Sequence, residues 1–251
     1  KRVDRPVVHL INDNFRNAAR VLDRLGMIRF DKALFDLGWS GHQIASPRGF
    51  SFQKDEPLLM SYSTSSEEVD GVRSAAEIVN SSSEAELADL LYAYGEEQFA
   101  RGIARSIVKE RSSKRILTTG ALVSAVEKGT PAWYHRRKIH PATKTFQALR
   151  IATNDELGAL REGLAAVLGR LAPGGRLAVI TFHSIEDRLV KSAFRDAADQ
   201  GLGLASKKPV TPSASELAQN RRARSAKLRV FERASASPER TSSALHLPTY
   251  A

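Results

Sequence analysis

The stretch Leu157-Gly158-Ala159-Leu160, continuing through Leu164, Leu168 and Leu171 to Pro173-Gly174-Gly175 and then Arg176-Leu177-Ala178-Val179-Ile180-Thr181-Phe182-His183-Ser184, decides the fold. The leucines recur every three or four residues, the stripe of one helix face, in a helix that opens near Asn154-Asp155. Pro-Gly-Gly should stop that helix, because proline cannot continue it and glycine accepts the left-handed turn that ends it. Arg176–Phe182 is then a short aliphatic run of strand length, and Ile185 to about Ala198 reads as a second helix. Helix, strand, helix is the rhythm of an open, mostly parallel sheet with helices packed on it.

Working upstream, Lys32–Gly38 is a second strand expectation, with the acidic Asp36 near its carboxyl end. Phe15 to Leu25 reads as a helix carrying Phe15, Ala18, Ala19 and Leu22 on one face. Val7–Ile11 reads as a strand before it, closed by the polar break Asn12-Asp13-Asn14. Trp39 to Ser66, rich in Gly, Ser, Pro and charge, is expected to be a long ordered loop in which Trp39, Phe50 and Phe52 stack on bases or bury the loop onto the sheet. From about Val69 to Gly129 the pattern is helical: Ser83 and Glu86 form a capping box ahead of Leu87, Leu90, Leu91 and Tyr94. A second stripe there is Phe99, Ile103 and Ile107, and a third helix carries Leu122, Val123 and Val126. Downstream, Leu202 to Ala226 is a basic connection, and Lys227–Arg233 alternates like a final edge strand. These readings give an α/β fold interrupted by an all-helical insert. The Gly-rich turn that opens a doubly wound ligand-binding fold is expected before Phe15 and is not found there.

With 251 residues, 42% hydrophobic and 26% charged, the composition is that of a globular protein. A formal charge of +10 favours polyanionic partners, nucleic acid first. The absence of cysteine excludes disulfides, thiolate metal sites and cysteine nucleophiles. No apolar run reaches the roughly 20 residues that span a bilayer, so no membrane partner is expected and the cytoplasm is the simplest address.

Asp36 at a strand exit either accepts hydrogen bonds from a ligand or caps the turn that follows. Ser184 with Asp187 reads as an S-x-x-D capping box rather than as a nucleophile, and His183 is either a satisfied strand-end histidine or a donor on the binding face. His140, Lys144, Arg150, Asn154, Asp155 and Glu156 crowd polar groups around a helix start, where Asn154 or Asp155 serves as N-cap or as a functional group. The histidines lack metal-ligand spacing, so no metal is expected. Basic residues fall in two groups: Arg101, Arg105, Lys109, Arg111, Lys114 and Arg115, and then Arg221, Arg222, Arg224, Lys227 and Arg229. Each is a solvated face or a phosphate-contacting surface.

A series of segments in a fixed order carries a resemblance. It comprises Phe35-Asp36-Leu37-Gly38 with Gln43, Arg48-Gly49-Phe50-Ser51-Phe52, Tyr94-Gly95-Glu96-Glu97 and His140-Pro141-Ala142-Thr143-Lys144-Thr145-Phe146-Gln147-Ala148-Leu149-Arg150-Ile151. It continues with Asn154-Asp155-Glu156-Leu157, Leu171-Ala172-Pro173-Gly174-Gly175, Phe182-His183-Ser184-Ile185-Glu186-Asp187-Arg188 and Arg222-Ala223-Arg224-Ser225-Ala226-Lys227-Leu228-Arg229. The chain resembles the MraW (RsmH) family of bacterial 16S rRNA cytosine-N4 methyltransferases from Val7 to about Arg233.

The resemblance implies a class I, Rossmann-like methyltransferase sheet with an inserted helical domain. It divides the chain into 1–66 and 139–234 for the methyltransferase domain, 67–138 for the substrate-recognition insert and 235–251 for a flexible tail. It implies S-adenosylmethionine as cofactor, contacted by Phe15, Asp36 and Gln43. It implies 16S rRNA or the small ribosomal subunit as partner, held by His140, Lys144, Arg150, Asn154, His183, Glu186, Arg188, Arg222 and Arg224, and it is compatible with a homodimer. Asp36, Asn154 and Asp155 are the candidates for accepting hydrogen from the attacking amino group. Two departures stand out: the family's Gly-rich cofactor turn has no counterpart, from which weak cofactor binding is expected, and Pro57-Leu58-Leu59-Met60-Ser61 stands where members read Pro-Leu-Asp-Met-Arg, so Leu59 and Ser61 alter that loop's ionic contacts. The alternative function is a non-catalytic rRNA-binding protein.

Overall fold

The computed structural model describes residues 7–38, 46–62 and 73–235, and the chain divides into two compact units, Lys1–Gly38 with Leu157–Ala251, and Trp39–Glu156. The first is built on a sheet of β1 (Phe30–Asp36), β2 (Leu171–Thr181), β3 (Gly203–Ala205) and β4 (Lys227–Arg233), in the order β1-β2-β4-β3. β1 pairs parallel with β2, from Lys32 opposite Arg176 to Asp36 opposite Ile180. β4 runs antiparallel to both β2 and β3. The sheet is therefore mixed: among the described strands one pairing is parallel and two are antiparallel, where the sequence pattern led us to expect a mostly parallel sheet.

Three further expectations are corrected. Val7–Ile11 belongs to no strand; Val7, Val8 and Leu10 are 81%, 73% and 94% exposed. An apolar run becomes a strand only where a neighbour takes its backbone hydrogen bonds, and regular structure begins here after the polar break. Asp13 accepts from the Asn17 amide and the Arg20 guanidinium, and Asn14 caps a short 3-10 turn, Phe15–Asn17, that leads into α1 (Ala18–Arg24). Next, β4 is not an edge strand, because β3 pairs on its other side and Phe231 is fully buried between them and the helices. Last, Pro173-Gly174-Gly175 does not separate helix from strand. β2 already begins at Leu171, and Asp31 of β1 stands against four residues, 172–175, that loop out as a bulge. Gly174 takes a positive φ of 76° there, and a Cβ on Gly175 would lie 2.8 Å from the Ala172 carbonyl and 3.0 Å from that of Asp31.

The leucine stripe forms α7 (Glu156–Arg170), and α8 (Ser184–Asp199) follows β2 directly. Leu160, Leu164, Val167 and Leu168 of α7, Leu177 and Val179 of β2, Val190 and Phe194 of α8 and Phe231 of β4 make one core, with the Phe194 and Phe231 rings 5.7 Å apart.

In the helical unit, α2 (Ala75–Ser81) and α3 (Glu84–Gly95) both open with reciprocal capping boxes, Ser74 with Glu77 and Ser83 with Glu86. They are followed by α4 (Ala100–Ser113), α5 (Thr119–Lys128) and α6 (Ala142–Asn154). Leu87, Leu91, Ile103, Ile107, Leu122 and Leu149 fill its core. α4 and α5 approach backbone to backbone at Gly129, where a Cβ would lie 2.7 Å from the Ile103 Cα. The expected helical block 67–138 lies inside this unit. Phe50 and Phe52 pack on this helical core, and Trp39 lies outside the described residues.

Because Phe231 closes the sheet core from β4, F231A should cost about 3–5 kcal/mol of stability in urea unfolding followed by circular dichroism. A loss below about 1 kcal/mol would mean that β4 is not part of that core.

Candidate active site

Parallel strands end at the same edge, so β1 and β2 deliver Asp36–Gly38 and Thr181–His183 side by side. A Cβ on Gly38 would meet Asp36 Oδ1 at 2.8 Å and the Phe182 ring at 3.0 Å, which shows how closely the two strand ends approach. Asp36 is exposed; its Oδ1 accepts from the Gly38 amide at 2.9 Å, and its second oxygen has no hydrogen bond among the described residues. The turn-cap reading of Asp36 is thus the one its hydrogen bond shows. Beside it, the Phe15 ring lies 5.5 Å from that of Phe35. Gly163 of α7 leaves room for it: a Cβ there would come within 2.8 Å of the Phe15 ring.

The β2 end is braced from α8. Glu186 is buried, and its Oε2 accepts from the backbone amides of Phe182 at 2.9 Å and His183 at 3.3 Å. His183 Nδ1 accepts in turn from the Glu186 amide at 3.3 Å. The capping box of α8 is therefore His183 with Glu186, one residue earlier than the expected Ser184 with Asp187. An acceptor Nδ1 puts the imidazole proton on Nε2. That atom is buried, 3.1 Å from Glu186 Oε1 but without a hydrogen bond of acceptable alignment.

Asp187, released from capping, takes a different partner. Arg229 of β4, itself buried, grips it through Nε at 2.6 Å and Nη2 at 3.1 Å, and Lys227 Nζ reaches it at 3.2 Å. Burial opposes ionisation most strongly, yet the hydrogen bonds and charges of Arg229 and Lys227 together outweigh it and hold the carboxyl below its usual range. Arg188 is exposed on α8 and shares a shallow groove with Arg161, Leu157, Ile185, Leu189 and Ser192. Arg222 and Arg224 are exposed on the 3-10 turn Arg221–Ser225, anchored by buried Ala223.

The remaining sequence candidates lie in the helical unit. Asn154 is fully engaged in holding a loop: Oδ1 accepts from the Tyr62 amide at 2.8 Å, and Nδ2 donates to the carbonyls of Met60 at 2.8 Å and Arg150 at 2.9 Å. Arg150 makes a two-pronged pair with Glu156 at 2.7 and 2.8 Å, and the Tyr62 hydroxyl donates to the same carboxylate at 2.9 Å. Met60, buried at a left-handed φ of 55°, sits in the loop these groups clamp. Asp155 ends α6 in the left-handed region, at φ 45°. Lys144 Nζ donates to the Glu96 carbonyl at 2.7 Å, and His140 stacks on Phe52 with ring centroids 4.7 Å apart. Gln43 lies outside the described residues. Sequence reading missed Tyr62, which no periodicity marks, and Arg229 as the partner of Asp187, 42 residues distant along the chain.

A mixed α/β sheet flanked by helices, with a parallel β1–β2 pair, is consistent with a Rossmann-like fold. A profile described as the MraW methylase family matches residues 1–234. Three proteins, each named ribosomal RNA small subunit methyltransferase H, are similar over most of their length. That of Deinococcus radiodurans is 48% identical over 92% of this chain and 71% of its own. That of Methylocella silvestris is 46% identical over 90% and 68%. That of Carboxydothermus hydrogenoformans is 43% identical over 90% and 76%. The chain belongs to the MraW methylase family and is a methyltransferase.

The Asp187 pair predicts an acid dependence. The folded-state pKa of Asp187 lies below the ordinary 3.8. The stabilisation is fully present above that ordinary value and is lost as pH falls through the lower folded-state value. D187N should cost about 3–5 kcal/mol at pH 7, because it leaves Arg229 buried without its counter-charge. The gap to the unsubstituted chain, read by urea unfolding, should narrow in acid; a gap that is constant with pH would contradict the pairing.

Proposed function

We propose that the protein methylates the exocyclic N4 of a cytidine in the decoding region of 16S rRNA, with S-adenosylmethionine as donor. The names of the three similar proteins support the substrate class. The observation that carries the reading is the second oxygen of Asp36, which has no hydrogen bond among the described residues, at the edge where β1 and β2 end beside Phe182 and the brace formed by His183 and Glu186.

The residues present fit the adenosine end of that cofactor: an apolar ring, Phe15, stands against Phe35, and Gly38 keeps the backbone beside Asp36 free of a side chain. Phe15 would wall the purine and Gln43 would take its polar contacts, which leaves the second oxygen of Asp36 for the cytosine amino group. When bound, the cofactor supplies an electrophilic methyl group, so the protein's contribution is chiefly positioning. The cytosine amino nitrogen is a poor nucleophile while its lone pair is delocalised into the ring. An acceptor for an N4 hydrogen favours the pyramidal nitrogen whose lone pair is free, and a carboxylate such as Asp36 is suited to it. As the N–C bond forms, at the expense of the donor's S–CH3 bond and with a neutral thioether as leaving group, the nitrogen would become cationic, and the same carboxylate would stabilise that charge until the proton passes to water. Asn154, whose amide is committed to Met60, Tyr62 and Arg150, serves the loop instead. Arg188, Arg222 and Arg224 are exposed cations suited to the RNA phosphates, residues 67–138 are the recognition insert, and His140, Lys144 and Arg150 follow it as further substrate contacts.

The test is transfer of labelled methyl to unmethylated small subunits. D36A should lower kcat/KM by about a hundredfold or more, the scale of losing one group aimed at developing charge, with the fold intact by circular dichroism. An unchanged kcat/KM would remove Asp36 from the site.

A further inference from the structure

Outside these residues the helical unit presents an aromatic and basic surface that neither the sheet edge nor the loop clamp uses. Trp133 is 56% exposed, which is unusual for a side chain that large, and it is not loose. Its ring meets Phe99 at 5.6 Å and Tyr134 at 5.8 Å, both edge-on, so the indole is fixed from beneath while another side faces solvent. The support is itself tied down. Tyr134 is buried, and its hydroxyl donates at 2.9 Å to Glu97, a carboxylate with no exposure at all, whose other oxygen accepts from the Phe99 amide at 2.9 Å. Burial first, then the Glu97 hydrogen bond and charge, push the Tyr134 phenol up to about 12, so this bond persists throughout the physiological range.

From His135 to His140 every residue is exposed, and the run includes Arg136, Arg137 and Lys138. Arg137 sits over the Tyr134 ring with Cζ 5.5 Å from its centroid. Arg136 and Lys138 make no ion pair among the described residues. A fixed indole face beside cations without carboxylate partners is matched by a ligand that offers flat rings and phosphates together. A duplex hides its rings in the stack, and an acidic peptide offers none.

We propose that Trp133 is a stacking platform for an unpaired base of single-stranded RNA, with Arg136, Arg137 and Lys138 holding the flanking phosphates. This rests on the reading of the substrate as RNA and adds to it where the helical unit grips the strand. The experiment is fluorescence anisotropy of the whole chain with a short single-stranded RNA, a duplex of the same length and a polyaspartate of the same charge. W133A should weaken single-strand binding about tenfold or more, W133F should retain most of it, and duplex binding should change little. R136A/K138A should flatten the salt dependence of single-strand binding. Single-strand binding by W133A equal to that of the unsubstituted chain would overturn the proposal, as would polyaspartate binding more tightly than the RNA. If W133A loses the single strand but the unsubstituted chain transfers no methyl to small subunits, the substrate reading fails and the stacking surface stands. If methyl transfer occurs and W133A binds normally, the reverse holds.

Discussion

Two parallel strands must expose their carboxyl ends at one edge, and in this protein nearly everything chemical follows from that pairing of β1 with β2. The register from Lys32 opposite Arg176 to Asp36 opposite Ile180 fixes Asp36 next to the exit of β2. The exit would fray without further restraint, because its last amides have no strand to donate to. Glu186, one turn into α8, accepts two of them, and Asp187, the next residue, is held by Arg229 from β4. Adjacent residues of one helix therefore secure both the strand that precedes it and the strand that closes the sheet.

The helical unit applies the same economy to a loop. Residues 57–62 have little regular structure, and Met60 sits at a backbone conformation that costs about 1–3 kcal/mol for a non-glycine residue. That cost is offset by the Asn154 amide, the Arg150–Glu156 pair with Tyr62, and complete burial of Leu58 and Met60. Leu59, which stands where the family pattern reads Asp, is half exposed and adds no ionic contact.

Much of this was legible in the sequence. The leucine stripe of α7, the strand after it, α8 and the capping box at Ser83 all follow from local periodicity and capping chemistry, which act within a few residues. What was misread depended on partners distant in sequence. Val7–Ile11 has the composition of a strand but pairs with no strand among the described residues. Pro173-Gly174-Gly175 has the composition of a helix stop, yet strand pairing with Phe30 reclaims Leu171 and turns the glycines into a bulge. β4 alternates as an edge strand would, but the three residues of β3 cover its far side. The site divides in the same way. Asp36 is marked by its place at a strand end, whereas the engagement of Asn154 with Met60, 94 residues away along the chain, has no local signature.

The role proposed for the Asp36 carboxylate at the β1 exit is to direct methylation to an exocyclic amine rather than to a ring carbon. Mass spectrometry of nucleosides from 16S rRNA, after incubation of unmethylated small subunits with the protein and labelled S-adenosylmethionine, tests it most directly. The account predicts label in N4-methylcytidine. Label in a carbon-methylated base, or in nucleosides other than cytidine, would contradict it.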